Sequence, residues 1–372
     1  MKIIIFALCG LIGLSPQRAA ADATKPPVRL AVIGLVHGHV GAFIPNALNN
    51  AEVQLVGIVE PDEKLAAHYA EMMQLNTNLF FTSLAALFAH TNVQAVATFT
   101  TTSDHRRVVE ACAPHGVHVM MEKPLAVSLE DGLAMAAAAK KGGIQLLVNY
   151  ETTWYPANQA AYTMVREQNT IGEVRKMVVH DGHRGPITIG CQPEFVKWLS
   201  DPKLNGGGAI IDFGCYGADL MTWLMAGQRP TSVFAVAQHF QPELYPNVDD
   251  EATIVVAYPK AQGIIQASWN WPIDRKDMEI YGQSGQILVP RKNILRITSP
   301  DQPERETKVP ALSNPQADPI SNLAAVVRGE IQPTGLSSLA VNLTVMEILD
   351  AARASVATGK RVDLPAQAPA AP

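Results

Sequence analysis

Between Val28 and Asn149, short runs of consecutive apolar residues alternate with stretches in which apolar positions recur every three to four residues. The runs VRLAVIG (28–34), VQLVGIVEPD (53–62), VQAVATFTTT (93–102), VHVMMEKP (117–124) and IQLLVNYE (144–151) read as strands. The stretches AFIPNALNN (42–50), EKLAAHYAEMM (63–73), HRRVVEACAPHG (105–116) and SLEDGLAMAAAAKKGG (128–143) read as helices. Uninterrupted apolar strands are buried on both faces, and their alternation with helices predicts a doubly wound parallel sheet. Such a sheet binds ligands at the carboxyl ends of its strands.

After Asn149 the pattern changes. A helix is expected over NQAAYTMVREQ (158–168). Strands then follow at VRKMVVHDGH (174–183), TSVFAVAQHF (231–240), EATIVVAYP (251–259), GIIQASWNWP (263–272), DMEIYGQSG (277–285) and QILVPR (286–291). Successive strands separated by turn residues predict a mostly antiparallel, open sheet. The helix AIIDFGCYGADLMTWLMAG (209–227) interrupts them, which makes the second domain α+β. The stretch SSLAVNLTVMEILDAARASVATG (337–359) has helical periodicity, with Gly359 as its stop. The expected division is a leader at 1–23, an α/β domain at 24–149 and an α+β domain at 150–337. A helix returning to the core (338–363) and a disordered tail (364–372) complete the chain.

The start of the chain has its own grammar. Lys2 precedes the apolar IIIFALCGLIGL (3–14), and small residues follow in SPQRAAADA (15–23). This is the pattern of a secretory signal cleaved near Ala21 or Ala23, and it implies a secreted or periplasmic protein. The apolar run is too short to span a bilayer, so no membrane association is expected after cleavage. Without Cys9 the chain keeps Cys112, Cys191 and Cys215, an odd number without CxxC spacing. The net charge of -5 and the pI near 6.1 argue against a nucleic-acid partner.

The first strand ends in GLVHGHVG (34–41). A glycine turn leading into a helix presents unpaired N–H groups and a partial positive charge to an anion. The spacing G-x-x-x-G-x-x-G is one residue longer than the usual dinucleotide fingerprint. Taken alone, the loop leaves a dinucleotide site and a two-histidine metal site, His37 with His39, both open. Its place on the first strand–helix turn favours the dinucleotide, and no HExxH or carboxylate partner in the sequence supports a metal. Glu60 ends the second strand, where an acid accepts ribose hydroxyls. Pro61 and Asp62 follow it, with no cation for a 2′-phosphate, so NAD is favoured over NADP. One of His37 and His39 is expected near the cofactor or the mouth of the substrate site.

Two further blocks carry chemistry. In MMEKPLA, Glu122 and Lys123 stand at a strand end, and Pro124 is a candidate cis residue. In NGGGAIIDFGCYGADLMTWL, Gly206, Gly207 and Gly208 permit close backbone approach, and Asp212 and Tyr216 are four residues apart on a helix. These blocks, together with TTTSDH and AARASVATGKRVDLP, resemble the Gfo/Idh/MocA oxidoreductases over essentially the whole mature chain.

The resemblance implies a Rossmann domain, an α+β domain carrying substrate and oligomer contacts, and hydride transfer between NAD(P) and a sugar or polyol carbon. It places catalysis on Lys123, Asp212 and Tyr216. The tyrosine resembles the glucose–fructose oxidoreductase and dihydrodiol dehydrogenase branches, where most members have histidine. Cofactor contacts fall on Gly34, Leu35, Val36, His37, Gly38, Glu60, Thr100, Thr101, His105, Glu122 and Lys123. Two positions depart from the family: Thr101–Thr102 replaces Pro-Asn before His105, and Thr153 stands where many members have arginine.

Oxidation of an alcohol requires its proton to leave as hydride departs. Tyr216 is the expected base, with Lys123 lowering its pKa and orienting its hydroxyl, and Asp212 holding substrate; direct proton transfer to Lys123 is the alternative. Trp154, Trp269 and Trp271 are candidate stacking surfaces for a sugar, and His180, His183 and Arg184 candidate polar contacts. The expected partners are a small carbohydrate and a second copy of the chain through the C-terminal sheet. Export away from the nicotinamide pool implies a tightly held cofactor, regenerated within one cycle. Two other functions remain open: glycoside cleavage by transient oxidation and elimination on the same NAD, and non-catalytic sensing of a carbohydrate or nucleotide.

Overall fold

The computed structural model describes residues 25–366, so the leader at 1–23 and the end of the tail lie outside the described residues. Six strands form the first sheet: β1 (Val28–Ile33), β2 (Val53–Val59), β3 (Phe80–Phe81), β4 (Ala95–Thr98), β5 (His118–Glu122) and β6 (Leu146–Asn149). Their order is β3-β2-β1-β4-β5-β6, and every pairing is parallel. This is the doubly wound Rossmann order, with the strand order reversing beside β1. The apolar runs are explained by double-sided burial. Leu30 and Val32 of β1 enter one core and Ala31 and Ile33 the other.

The second sheet has nine strands: β7 (Val174–Gly182), β8 (Ser232–Gln238), β9 (Glu251–Ala257), β10 (Gln262–Ser268), β11 (Arg275–Gly282), β12 (Gln286–Arg291), β13 (Ile294–Ser299), β14 (Gln302–Lys308) and β15 (Val362–Asp363). The order is β14-β13-β12-β11-β7-β10-β9-β8-β15, and only the β7–β10 pairing is parallel. One face packs on helices Gly214–Leu224 and Leu339–Thr358, the other is open; Phe234 and Val236 of β8 are exposed there.

Gly359 stops the last helix in the left-handed conformation (φ 65°), as its position in the sequence suggests. Several elements are not legible in the periodicity. Strand β3 and the helix Leu84–His90 are too short to show a period, and β14 is exposed along its whole length. The expected helix over 158–168 is α-helical only over Pro156–Tyr162 and continues as one π-turn. Helix Pro319–Val327 lies inside the segment assigned to the second domain. Its Ile320, Leu323 and Ala324 nevertheless complete the core on the β1 and β2 side of the first sheet.

Candidate active site

The turn after β1 is shaped by a steric requirement. Gly34 has φ +81°, and a Cβ there would lie 2.7 Å from Thr100 Cγ2 and 2.9 Å from Thr100 N. The helix Val40–Leu48 that follows has His39 at its N-cap and no side-chain cap; Val40 N–H donates to the His37 carbonyl at 3.0 Å and Ala42 and Phe43 N–H to the His39 carbonyl, which leaves the Gly41 N–H for an anion. Glu60 Oε2 accepts from Leu35 N–H and its Oε1 from Asp62 N–H, both at 2.9 Å. Burial pushes this carboxyl up, against those two hydrogen bonds. Glu60 therefore holds the turn, and each oxygen keeps a lone pair for a ribose hydroxyl. Asp62 is occupied in capping helix Glu63–Met72.

The other cofactor candidates divide. The Val36 carbonyl accepts from Trp198 Nε1 at 3.1 Å, and a Cβ on Gly38 would meet Gln192 at 3.1 Å. Helix Pro193–Leu199, invisible in the periodicity, thus covers the loop. Thr100 is buried at the end of β4, bonded to Thr98 at 3.0 Å, and Thr101 turns to Ser103 at 2.9 Å. His105 stands further inside the domain, at the start of helix His105–Cys112. It is buried, and its Nδ1–H donates to the Leu125 carbonyl at 3.1 Å, bracing the loop that carries Lys123. Burial lowers its pKa.

His37 and His39 both reach the site. His37 is buried against Phe195 and Trp198, and burial holds its imidazole neutral, well below the ordinary histidine range. Its Nδ1 accepts from His39 N–H at 3.2 Å, and its Nε2 has no partner among the described residues. His39 donates through Nδ1 to Glu122 Oε2 at 3.0 Å, while Glu122 Oε1 accepts from Asn149 Nδ2 at 2.8 Å. Burial alone would raise the Glu122 carboxyl, but His39, His37 and these hydrogen bonds bring it down to about 2. The three residues place ligand-capable atoms within 4.8 Å of one another, so Glu122 is the carboxylate neighbour that the sequence did not show. The lone pair of His37 Nδ1 and the Nδ1 of His39 are engaged in hydrogen bonds, which makes the group a hydrogen-bonded cluster.

Lys123 follows Glu122, and its bond to Pro124 is cis. Its ammonium is buried and donates to the carboxylate Oδ1 of Asp212 and, at 3.2 Å, to the Asp212 carbonyl. Asp212 Oδ2 accepts from Trp269 Nε1 at 2.9 Å. Burial alone would neutralise both partners. Their mutual attraction overcomes it, so Lys123 is held above the usual lysine range and Asp212 below the usual carboxylate range. Two of the three N–H donors of Lys123 are thus engaged, and the third remains for a ligand oxygen. A glycine is needed at the start of this block: a Cβ on Gly208 would lie 1.8 Å from the Asp249 carbonyl, and Asp249 caps the following turn through Gly208 and Ile210 N–H.

Three expectations about this block are corrected. The helix breaks at Phe213, so Asp212 ends one segment and Tyr216 belongs to the next, Gly214–Leu224. They converge on Lys123 nonetheless. The Lys123 ammonium lies 5.3 Å from the centroid of the Tyr216 ring, facing its π-system, and makes no hydrogen bond to its hydroxyl. The phenol is not lowered: burial, with Glu151 and other anions nearby, pushes it well above the ordinary tyrosine range. Trp269 is fully buried against Tyr245 and holds the carboxylate of Asp212, so no face is free for a sugar.

Of the polar candidates, His183 lies beside Asp212 and Lys123, with a pKa lowered chiefly by burial. Its Nδ1 accepts from Gly185 N–H at 3.0 Å, which leaves Nε2–H as a donor. Arg184 is exposed. Trp154 donates to Asn149 at 2.9 Å and lines a separate cavity with Tyr162 and Trp223, so it supports Glu122 at one remove. The sequence reading missed Glu151, Tyr155, Asp181 and Lys276. Lys276 Nζ pairs with Glu151 and lies 4.9 Å from the Tyr216 ring centroid; Tyr155 donates to Glu151 at 2.6 Å. For Glu151, Asp181 and Lys276 the signal was a charge on a strand or next to a strand end, whose placement becomes visible only once strand register is known.

The residues present fit a dinucleotide: a strained glycine turn, an uncapped helix N-terminus, an acid at the end of β2 and an unpartnered imidazole nitrogen at the loop. Comparison with known proteins agrees. Residues 28–150 match the model of the oxidoreductase family with an NAD-binding Rossmann fold, and residues 159–288 match the GFO/IDH/MocA C-terminal domain. A trans-1,2-dihydrobenzene-1,2-diol dehydrogenase from Sus scrofa is 26% identical over 248 residues, covering 65% of this chain and 68% of that protein. The chain spans smaller parts of other curated relatives, down to about half.

Two solved structures share the fold. An aldose-aldose oxidoreductase from Caulobacter crescentus, complexed with glycerol, has a TM-score of 0.77 at 22% identity, over 91% of this chain and 100% of that one. An inositol dehydrogenase homolog from Azotobacter vinelandii, complexed with NAD+, has a TM-score of 0.79 at 19% identity, over 92% and 99%. With both halves of the fold matched and the Lys123–Asp212 pair at the mouth of the Rossmann sheet, the chain belongs to the GFO/IDH/MocA oxidoreductase family.

Proposed function

We propose that the protein is an NAD-dependent oxidoreductase that moves hydride between a secondary alcohol carbon of a sugar or polyol and its nicotinamide cofactor. The observation that carries this is the buried Lys123 ammonium. It is fixed by two acceptors of Asp212 at the carboxyl end of β5, with one donor unspent. The Gly34–Gly41 turn, the N-terminus of helix Val40–Leu48 and Glu60 would hold the dinucleotide, which supplies the hydride acceptor or donor. Lys123 clamps the reacting oxygen. Asp212, itself held by Trp269, keeps Lys123 charged and in place, so its role is positioning. With Lys123 and Tyr216 both held protonated, the resting site is a proton donor to a carbonyl.

The relatives' names support the substrate class: a dihydrodiol, aldoses and inositol all present hydroxyl-bearing carbons in rings. The leader-like residues 1–23 support a location outside the cytoplasm and a cofactor that is retained through turnover. The open face of the nine-stranded sheet, with Phe234 and Val236, supports pairing of two copies. The test is purification of the exported protein and identification of its bound nucleotide, followed by assay with aldoses and cyclic polyols for formation of reduced nicotinamide. Nucleotide bound and reduced by a polyol is the expected result. Failure to bind any nicotinamide nucleotide overturns the reading.

A further inference from the structure

Asp181 on β7 is fully buried, and among the described residues neither of its carboxyl oxygens has a hydrogen-bond partner. Asp219 on helix Gly214–Leu224 shares that property, and the two carboxyls differ in their surroundings. Burial alone acts on Asp219. Around Asp181, charged groups converge from three elements: Lys276 and Asp277 of β11, Glu151 in the turn after β6, and Lys123 after β5.

Register explains the convergence. Asp181 stands directly opposite Lys276 in the antiparallel β7–β11 pair, so both side chains leave the same face of the sheet. It is the face on which Met177 and Val179 of β7 are buried. There the Lys276 ammonium lies 4.9 Å from the Tyr216 ring centroid and Lys123 lies 5.3 Å from it. Asp181 thus belongs to the Lys123 site.

Buried polar groups without partners are rare, because desolvation without a compensating hydrogen bond is costly. A ligand that brings the missing bonds removes that cost. A hydroxyl group fits, since it donates to one oxygen and accepts from an ammonium or a protonated carboxyl at the same time. We infer that Asp181, with Lys276 beside it, is a specificity-determining pair that binds a hydroxyl of the substrate other than the one that reacts. The inference rests on the oxidoreductase reading above. A site built around such a hydroxyl rejects an analogue that lacks it, since the carboxyl is then left orphaned.

The test uses the full, NAD-loaded protein and two probes, vicinal cyclohexanediol and cyclohexanol, with affinity read by calorimetry and turnover read separately. The wild type is expected to favour the diol by about a hundredfold in affinity and in kcat/KM. Asp181→Ala should bring that ratio down to about tenfold or less, mainly through the affinity for the diol, and Lys276→Met should act in the same direction. A ratio that Lys276→Met and a folded Asp181→Ala both leave unchanged overturns the inference, as does a wild type that binds both probes equally. A wild type that binds the diol selectively, loses that selectivity in the variants and turns over neither probe overturns the oxidoreductase reading alone.

Discussion

On the parallel-sheet side, the site offers backbone: the turn at Gly34, the start of helix Val40–Leu48 and a carboxylate, Glu60, that braces the turn. On the nine-stranded side it offers charged side chains: Asp181 and Lys276 from β7 and β11, Asp212 and Tyr216 from the broken helix, and Trp269 just after β10. Lys123 stands where the two meet. Backbone recognition is indifferent to side-chain identity but demands a conformation, so it leaves glycines at fixed places. Side-chain recognition demands chemistry but accepts it from any strand that faces the right way. The first kind of wall suits a shared cofactor and the second a variable substrate.

The sharpest way to separate the walls is Lys123→Ala. It removes the oxygen clamp without touching the turn, so turnover should fall by about a thousandfold while nucleotide affinity stays within a few-fold. Single-turnover kinetics with equilibrium dialysis of nucleotide checks both. A parallel loss of nucleotide binding would erase the distinction.

Stability against pH offers a second contrast, because the two walls bury carboxyls whose pKa values move in opposite directions. Glu122 has its folded pKa depressed to about 2 from an ordinary 4.5, so its contribution is present above about 4.5 and lost as pH falls toward 2. The Glu122→Gln variant should be less stable than wild type at neutral pH by about 3 kcal/mol and should lack that acid-side slope. Asp181 is raised, chiefly by burial, so its contribution is present below the ordinary aspartate range and is lost as pH rises through the higher folded value. Asp181→Asn should therefore lose least, or gain, at neutral pH. Chemical denaturation across pH measures both, and slopes of the same sign would contradict the assignment.

A smaller effect is expected on the backbone wall. Gly34→Ala places a Cβ against Thr100 at positive φ, which should cost about 2 kcal/mol of stability and weaken nucleotide binding. The altered affinity should appear in dialysis before any change in the chemistry of bound substrate. Smallest is Arg184→Ala. The residue is exposed and makes no hydrogen bond or ion pair among the described residues, so stability should move by less than about 0.5 kcal/mol and turnover by less than about twofold. A tenfold loss would place Arg184 in the site after all.

Legibility followed the same division. The glycine turn, Glu60 and the strand-end Glu122–Lys123 could be read in the chain because each depends on a local rule, a turn conformation or the end of a strand. Asp212 and Tyr216 were singled out by their four-residue spacing and given catalytic roles by the resemblance, but that spacing misstated how they meet, since the break at Phe213 intervenes. Trp154 and Trp269 misled because an aromatic ring in the sequence does not say whether its face is free. Trp269 spends its indole N–H on Asp212 and its ring on Tyr245.

By itself the sequence determined the doubly wound first domain, the mostly antiparallel second one and the position of the cofactor turn. Hydrophobic periodicity and glycine conformation are properties of neighbouring residues, and they survive in a linear text. Only the tertiary structure decided that His39 pairs with Glu122, that Asp181 faces Lys276, and that Tyr216 keeps its proton. Each of those depends on strand register and on removal from water, which the folded chain alone establishes.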